Sequence, residues 1–246
     1  MSYSIQLYTV RREMQKDLRG TLQRLADLGF SQVEPYDFVA TADALGASMA
    51  TNGLSAPSGH APVLSADQDT IFHAAQRLGI GTVIEPFVPA ERWQSERDIL
   101  DTANALNGAA LRASAYGIRI GYHNHAWELQ SEVKGRTALE YFAEQLAPGV
   151  VLEVDAYWAA VGGQNPAELI KRLGDRVKFI HIKDGPISTD TSGQQPAGQG
   201  SIPVWDVINA AQSLELGVIE FDEYEGDIFE GVGRSLSFLQ NGPVKA

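Results

Sequence analysis

The chain has 246 residues and contains no cysteine, which excludes disulfide bonds and metal sites built from thiolates. It has no apolar run of about 18 residues, so we expect no membrane span. The first residues lack the basic and apolar regions of a signal peptide, and we expect a cytoplasmic protein. Basic residues are the minority, since 19 Lys and Arg stand against 31 Asp and Glu, for a net charge of −12. An acidic surface repels phosphate backbones, so we expect no nucleic-acid partner.

The composition is that of a folded protein with a large core. Hydrophobic residues make up 44% of the chain and charged residues 20%, which argues against disorder. The length suits one α/β barrel, and no change in composition marks a linker. We therefore predict a single domain over residues 1–246.

A local pattern recurs seven times: a helix-like segment ends at a glycine, and an apolar, β-prone run follows. Glycine suits the left-handed position just after a helix. Together with an initial strand at Ser4–Tyr8, the pattern predicts eight parallel strands joined by helices, which favours a closed (β/α)8 TIM barrel. The alternative is an open doubly wound sheet, but no Gly-x-Gly-x-x-Gly follows the first strand. The seven glycines are Gly29, Gly53, Gly79, Gly117, Gly149, Gly174 and Gly217.

Several helix starts carry capping signals. A helix predicted over Leu18–Leu28 has leucines at helical spacing and an aspartate before it. Two further starts have the spacing of a capping box, and one has an asparagine before a proline. The predicted capping residues are Asp17, Ser65, Thr137 and Asn165.

Side chains suited to metal binding or proton transfer follow the predicted strands. In a (β/α)8 barrel the carboxyl ends of the strands meet at one mouth, where active sites lie. Nitrogen and oxygen donors together suit Mn, Co, Zn or Mg, so we expect one divalent metal ion. His123 and His125 are two residues apart and would face the same site on a strand. The side chains at strand ends are Glu34, His60, Glu85, His123, His125, Asp155, His181, Glu220 and Asp222.

The segment 185–200 is rich in Gly, Ser, Thr, Pro and Gln and follows the seventh predicted strand. Two interpretations stay open. The segment is either an ordinary disordered loop or a loop that lies over the catalytic face of the barrel.

Five motifs carry a resemblance to a known family. They are Gln6–Thr9, Tyr122–Glu128, Leu152–Trp158, His181–Asp184 and Gly198–Gly200. On these motifs the chain resembles the xylose-isomerase-like TIM-barrel superfamily, which includes sugar phosphate isomerases and epimerases. The superfamily spans several chemistries, so the resemblance does not determine one activity.

The resemblance implies one metal ion held by residues of four neighbouring strands. Asp155, His181 and Glu220 match three of the ligands. At the fourth position, where relatives have a glutamate, this chain has His123, or Tyr122 if the alignment shifts by one. His123 is therefore expected to be a ligand or a base, with His125 as the second choice.

The implied chemistry is removal of a proton next to the carbonyl of a sugar or keto-sugar, as in an isomerase or epimerase. Because one of two expected glutamates is missing, the alternative is a metal-dependent lyase or dehydratase that performs β-elimination or hydration on a 3-keto-sugar or keto-inositol. The further alternatives are an abasic-site endonuclease, which would need more than five histidines, and a non-catalytic sugar-binding protein. The predicted catalytic residues are His123, His125, Glu220 and Lys183.

The expected partner is a small sugar-like substrate, and a homo-oligomer is compatible with the sequence. Lys183 has two interpretations, a hydrogen bond to substrate oxygens or a salt bridge with Asp184. Aromatic residues such as Trp158 suit the wall of a sugar pocket. The predicted substrate-binding residues are Glu34, His60, Glu128, Trp158 and Lys183.

Overall fold

The computed structural model describes residues 2–242, so the predicted domain ends at residues 1 and 246 lie outside the described part. Eight strands form one parallel sheet in the order β2-β1-β10-β9-β8-β5-β4-β3, and β6 and β7 form a separate hairpin. The strands are β1 (Tyr3–Gln6), β2 (Val33–Glu34), β3 (Ser58–His60), β4 (Thr82–Glu85), β5 (Arg119–His123), β6 (Glu132–Val133), β7 (Arg136–Thr137), β8 (Val151–Asp155), β9 (Val177–Ile182) and β10 (Leu216–Ile219).

The sheet curls into a nearly closed barrel. Its two end strands, β2 and β3, approach each other through isolated parallel bridges between Gln32 and Ser55 and between Tyr36 and His60. Helices connect the strands and cover the outside of the barrel, as the sequence predicts. The (β/α)8 barrel is confirmed, and the open doubly wound sheet is excluded.

The helices alternate with short 3₁₀ turns. Among residues 2–242, none of them combines the length and the apolar composition needed to cross a membrane. The helices are α1 (Arg11–Lys16), α2 (Leu18–Asp27), α3 (Ala42–Thr51), α4 (Gln68–Leu78), α5 (Glu96–Ser114), α6 (Trp127–Gln130), α7 (Ala138–Gln145), α8 (Ala156–Val161), α9 (Pro166–Leu173), α10 (Val204–Ala210) and α11 (Ile228–Asn241).

Most of the predicted helix ends are confirmed. Asp17 and Asn165 cap α2 and α9, and Thr137 forms a complete capping box with Glu140. The prediction for Ser65 is wrong, because the side chain of Asp67 caps α4 instead. Five of the seven glycines have positive φ, but Gly149 does not and Gly217 lies inside β10. At Gly149 and Gly217 the backbone does not adopt the left-handed conformation, so the predicted reason for glycine does not apply there.

The interior of the barrel changes from apolar to polar along the strands. Near the amino ends of the strands, a small apolar cluster that includes Val151 and Phe179 fills the barrel. Side chains point inward at every second residue, so Glu153 and His181 form the next layer and Lys183 the layer above it. Inner layers of such barrels are usually apolar. The polar layers therefore mark the carboxyl end of this barrel as the candidate site.

Candidate active site

A cavity of about 500 Å³ opens at the carboxyl ends of the barrel strands. Its upper wall is formed largely by aromatic rings and prolines, with Tyr8 and Phe87 partly exposed to solvent. Its floor is polar. The polar residues that line it include His60, His123, His125, Lys183, Glu220 and Asp222.

Glu153 lies under the floor and contacts three histidines with one carboxylate oxygen. Its Oε2 is 2.6 Å from His60 Nε2, 3.2 Å from His123 Nδ1 and 3.0 Å from His181 Nε2. The side chain is fully buried. Burial favours the neutral acid, but the charges of His181 and His60 outweigh it and hold the pKa of Glu153 well below its usual range. Glu153 therefore stays ionised although it is buried.

His181 is the centre of the cluster. Its Nδ1 is 2.5 Å from Glu220 Oε2, and its Nε2 is 2.8 Å from Glu34 Oε1. Burial opposes a charge on the ring, yet Glu153 and Glu220 raise the pKa of His181 well above its ordinary value. His123 is different, because burial and the charge of His181 keep its pKa well below the ordinary value. His123 is therefore a neutral imidazole.

Lys183 is buried among three carboxylates. Its Nζ lies 2.9 Å from Asp155 Oδ2, 2.8 Å from Glu220 Oε2 and 3.0 Å from both oxygens of Asp222. Burial opposes the charge, but these carboxylates raise the pKa of Lys183 well above its ordinary value. The salt bridge with Asp184 is absent from the described ion pairs, because Asp184 turns to the backbone N–H groups of the loop that follows it.

Asp184 instead organises the loop 185–200. Its carboxylate accepts hydrogen bonds from four backbone N–H groups, those of Gly185, Gly198, Gly200 and Ile202. The loop also contacts the site through Gln194, whose side chain donates to Asp222 and accepts from its backbone N–H. The loop is thus ordered and connected to Lys183 through Asp222, which excludes the interpretation as a disordered loop.

Asp184→Ala is expected to lower the free energy of unfolding by roughly 3 kcal/mol, because four backbone N–H groups, two of them buried, lose a charged acceptor. Urea unfolding followed by circular dichroism measures the effect. The exposed Asp43→Ala, which removes a surface ion pair with Arg77, is the control and should change stability by at most about 0.5 kcal/mol. Equal effects of the two variants would contradict the role given to Asp184.

His125 lies on the wall of the cavity. Its ring stacks on Trp127 at 4.4 Å and meets the edge of Phe87. Burial and the nearby Lys183 lower the pKa of His125 to about 3, and its Nδ1 has no hydrogen-bond partner. His125 is therefore neutral. A neutral ring is better suited to accept a hydrogen bond from a substrate hydroxyl than to act as a base that keeps a proton.

Two predicted substrate contacts lie away from the cavity. Glu34 is fully buried below the floor, where it binds Gln6, Ser58 and His181. Glu128, on the short helix α6, turns back into the wall and accepts from the hydroxyl of Tyr122 at 2.7 Å. Both assignments to substrate are corrected, because these carboxylates are already hydrogen-bonded inside the protein.

Trp158, by contrast, is partly exposed beside the site. Its ring lies 5.8 Å from Lys183 Nζ, and its backbone N–H donates to Asp155 Oδ1. It does not line the floor, but it is near enough to border a bound molecule. His60 lines the cavity, as a substrate contact requires.

Glu128 makes stability depend on pH. Burial raises the pKa of Glu128 from 4.5 to about 8. Between these two pH values Glu128 is protonated in the folded protein but ionised in the unfolded chain. Stability from this group is therefore lost as pH rises from about 4.5 to about 8. Glu128→Gln cannot ionise, so we expect the loss of unfolding free energy between pH 5 and pH 9 to shrink by roughly 2–4 kcal/mol. Parallel curves for the variant and the parent protein, from urea unfolding across pH, would contradict this.

Residues at the floor and buried directly beside it fit a divalent cation. Asp155, His181 and Glu220 each offer one ligand atom, and these atoms lie within 4.8 Å of one another. His123 Nε2 is 3.9 Å from Asp155 Oδ2. Asp155 Oδ2 is buried and has no aligned hydrogen bond, although Lys183 Nζ is near. Two nitrogens and two carboxylate oxygens make a suitable set.

A second group of ligand-type residues lies just below the first. It consists of His60, His123, Glu153 and His181, which also offer atoms within 4.8 Å of one another. His181 belongs to both groups. Sequence reasoning missed Glu153, although it stands two residues before Asp155 on the same strand and therefore shares its inward face.

Comparison with known proteins places the chain in a family. Residues 22–240 match the family model of the xylose isomerase-like TIM barrel. The match covers most of the chain, and the protein belongs to this family. The resemblance predicted from the motifs is confirmed.

The relatives and solved structures that resemble the chain are named for different activities. The chain is 31% identical to inosose dehydratase of Geobacillus kaustophilus (strain HTA426) over 93 residues, 37% of this chain and 27% of the dehydratase. A sugar phosphate isomerase/epimerase from Parabacteroides distasonis ATCC 8503 has a TM-score of 0.85 at 23% identity, over 98% of this chain and 94% of that chain. The IOLI protein with a bound zinc atom has a TM-score of 0.76 at 15% identity, over 96% of each chain. At these identities the two structures show a shared fold, and their activities remain their own.

Proposed function

We propose that the protein is a divalent-metal-dependent enzyme that removes a proton next to the carbonyl of a sugar or keto-sugar. The observation that carries the proposal is the meeting of His123 and Glu220, which line a cavity of about 500 Å³, with Asp155 and His181, which are buried beside them. A cavity of this size accommodates a small ligand. The family relationship supports a sugar-like substrate.

The same four residues would hold the metal. When bound, a divalent ion supplies Lewis-acid polarisation of a carbonyl oxygen, which makes the neighbouring C–H group more acidic. The neutral ring of His123 and the ionised carboxylate of Glu220 are in the protonation states that ligands require, whereas His181, whose pKa is raised, would release a proton when it binds a cation.

The other residues of the floor bind the substrate and move the proton. Glu220 is on the cavity and, as a carboxylate, is the proposed acceptor of the proton from carbon. Lys183 presents an ammonium group that donates hydrogen bonds to substrate oxygens and stabilises negative charge there. His125 accepts a hydrogen bond from a substrate hydroxyl. Isomerisation or epimerisation then requires that a proton returns to a carbon of the same substrate.

Elimination is the second candidate. Two observations favour it: His123 stands where the resemblance implies a second glutamate, and a dehydratase is among the relatives. In this reaction Glu220 takes the proton from the carbon next to the carbonyl, and the electron pair of that C–H bond forms the double bond. The C–O bond at the β carbon breaks, and the leaving oxygen takes a proton from His60, which lines the same cavity.

Product analysis tests the proposal and separates the two candidates. The purified protein is incubated with a panel of ketoses, 3-keto-sugars and keto-inositols, with added Mn²⁺ and with a chelator. A product of equal mass identifies an isomerase or epimerase, and a product lighter by water or an alcohol identifies a lyase. Turnover that persists at full rate after complete metal removal would contradict the proposed metal dependence.

A further inference from the structure

Glu153 contacts the rear nitrogens of two of the residues that would hold the metal. Its Oε2 lies 3.2 Å from His123 Nδ1, while His123 Nε2 points toward Asp155. The same Oε2 lies 3.0 Å from His181 Nε2, while His181 Nδ1 points toward Glu220. One buried oxygen thus faces the far side of both rings.

The strand register explains this arrangement. His123 on β5 is paired with Glu153 on β8, and Asp155 is paired with His181 on β9. Glu153 and Asp155 point inward two residues apart, so one lies a layer below the other. The lower carboxylate is therefore placed beneath the ligand layer and cannot replace Asp155 in it.

We propose that Glu153 is a positioning residue of the metal centre. It accepts the N–H of His123 Nδ1, which fixes the tautomer and leaves the lone pair of Nε2 free at the floor of the cavity. Glu153 and Glu34 both lie within hydrogen-bond distance of His181 Nε2. Together they hold the ring so that its Nδ1 faces the site. A carboxylate behind a ligating histidine orients the ring and makes it a stronger donor. The inference rests on the proposed function, because it assigns Glu153 to the same metal.

A merely structural role would not require this geometry. Glu153 makes no contact with the backbone among its described hydrogen bonds, and its Oε1 has no partner although it is buried. An ionised side chain in the barrel interior is costly unless it is paired. Its pairing is confined to histidines of the site, two of which would ligate the ion.

The experiment compares Glu153→Gln with the parent protein and with Glu85→Gln. Glu85 is a buried glutamate at the end of β4, but its oxygens accept from the backbone N–H groups of Leu64 and Phe87. It therefore matches Glu153 in burial without touching a ligand. Circular dichroism first verifies that each variant is folded. Zn²⁺ affinity is measured against a chromophoric chelator, the number of ions per chain by mass spectrometry, and the ligand field from the visible spectrum of the Co²⁺ protein.

We expect the parent protein and Glu85→Gln to bind one ion per chain with equal affinity and equal Co²⁺ spectra. Glu153→Gln should bind the ion 10- to 100-fold more weakly, with a changed Co²⁺ spectrum. Unchanged affinity and spectrum in Glu153→Gln would overturn the inference while leaving the proposed metal site intact. Two ions in the parent and one in Glu153→Gln would also overturn it, because Glu153 would then be a ligand in the lower group. A parent protein that binds no ion would instead refute the proposed function.

Discussion

Replacing His181 by alanine is expected to remove the bound metal and to lower turnover by roughly 10³-fold or more. His181 touches Glu220 on one side and Glu34 and Glu153 on the other, and it belongs to both groups of ligand-type residues. Its loss removes a donor and leaves these carboxylates without their common partner. Metal content by mass spectrometry and steady-state kinetics measure the two effects.

The matched control is His73→Ala. His73 lies in helix α4 and packs against Tyr116, away from the barrel mouth. The His73→Ala protein should keep its metal and its activity. Because a buried charged cluster can be required for folding, Asp155→Asn serves as a second variant of nearly unchanged shape. If folded His181→Ala and Asp155→Asn both keep a full complement of metal, the ligand assignment is wrong.

Replacing Lys183 by methionine is expected to lower turnover by roughly 10²–10³-fold without loss of the metal. The ammonium group lies between Asp155 and Glu220, so its removal takes away the donor to substrate oxygens. The same change removes a positive charge next to the proposed ligands, so affinity for a divalent cation should not fall. This combination distinguishes Lys183 from His181, whose loss is expected to remove both properties.

Lys171→Met is the control, since Lys171 is exposed and pairs only with Glu168 among its described partners. It should leave turnover within about twofold of the parent value, as expected for a surface pair of small energy. A Lys183→Met protein with parental turnover would contradict the role of the ammonium group. So would a protein that loses metal and turnover together.

The fold could be predicted because its signals are local. Glycines after helices, capping residues such as Asp17 and Thr137, and apolar runs between them are each set by backbone geometry over a few residues. Their repetition leads to the barrel through the general rule for alternating strands and helices. The motif resemblance led independently to the same fold.

The depth of the side chains was harder to predict. Glu34 stands at a strand end in the sequence and Glu128 lies beyond one, but in the structure Glu34 bonds Ser58 inside the barrel and Glu128 bonds Tyr122 from helix α6. Glu153 was missed because the rule that active-site residues lie at strand ends selects Asp155, the last residue of β8, and not the residue two positions before it. The partners of Lys183 depend on how neighbouring strands are aligned, which the sequence of one strand does not contain.

The central claim is tested most directly by hydrogen exchange at carbon. Candidate keto-sugars are incubated in heavy water with the metal-loaded protein, and deuterium uptake is followed by NMR. We predict uptake next to the carbonyl that requires the metal and is absent with folded His181→Ala. Conversion of a substrate with no deuterium at any carbon of the recovered substrate or of the product, or uptake that a chelator leaves unchanged, would contradict metal-assisted removal of that proton.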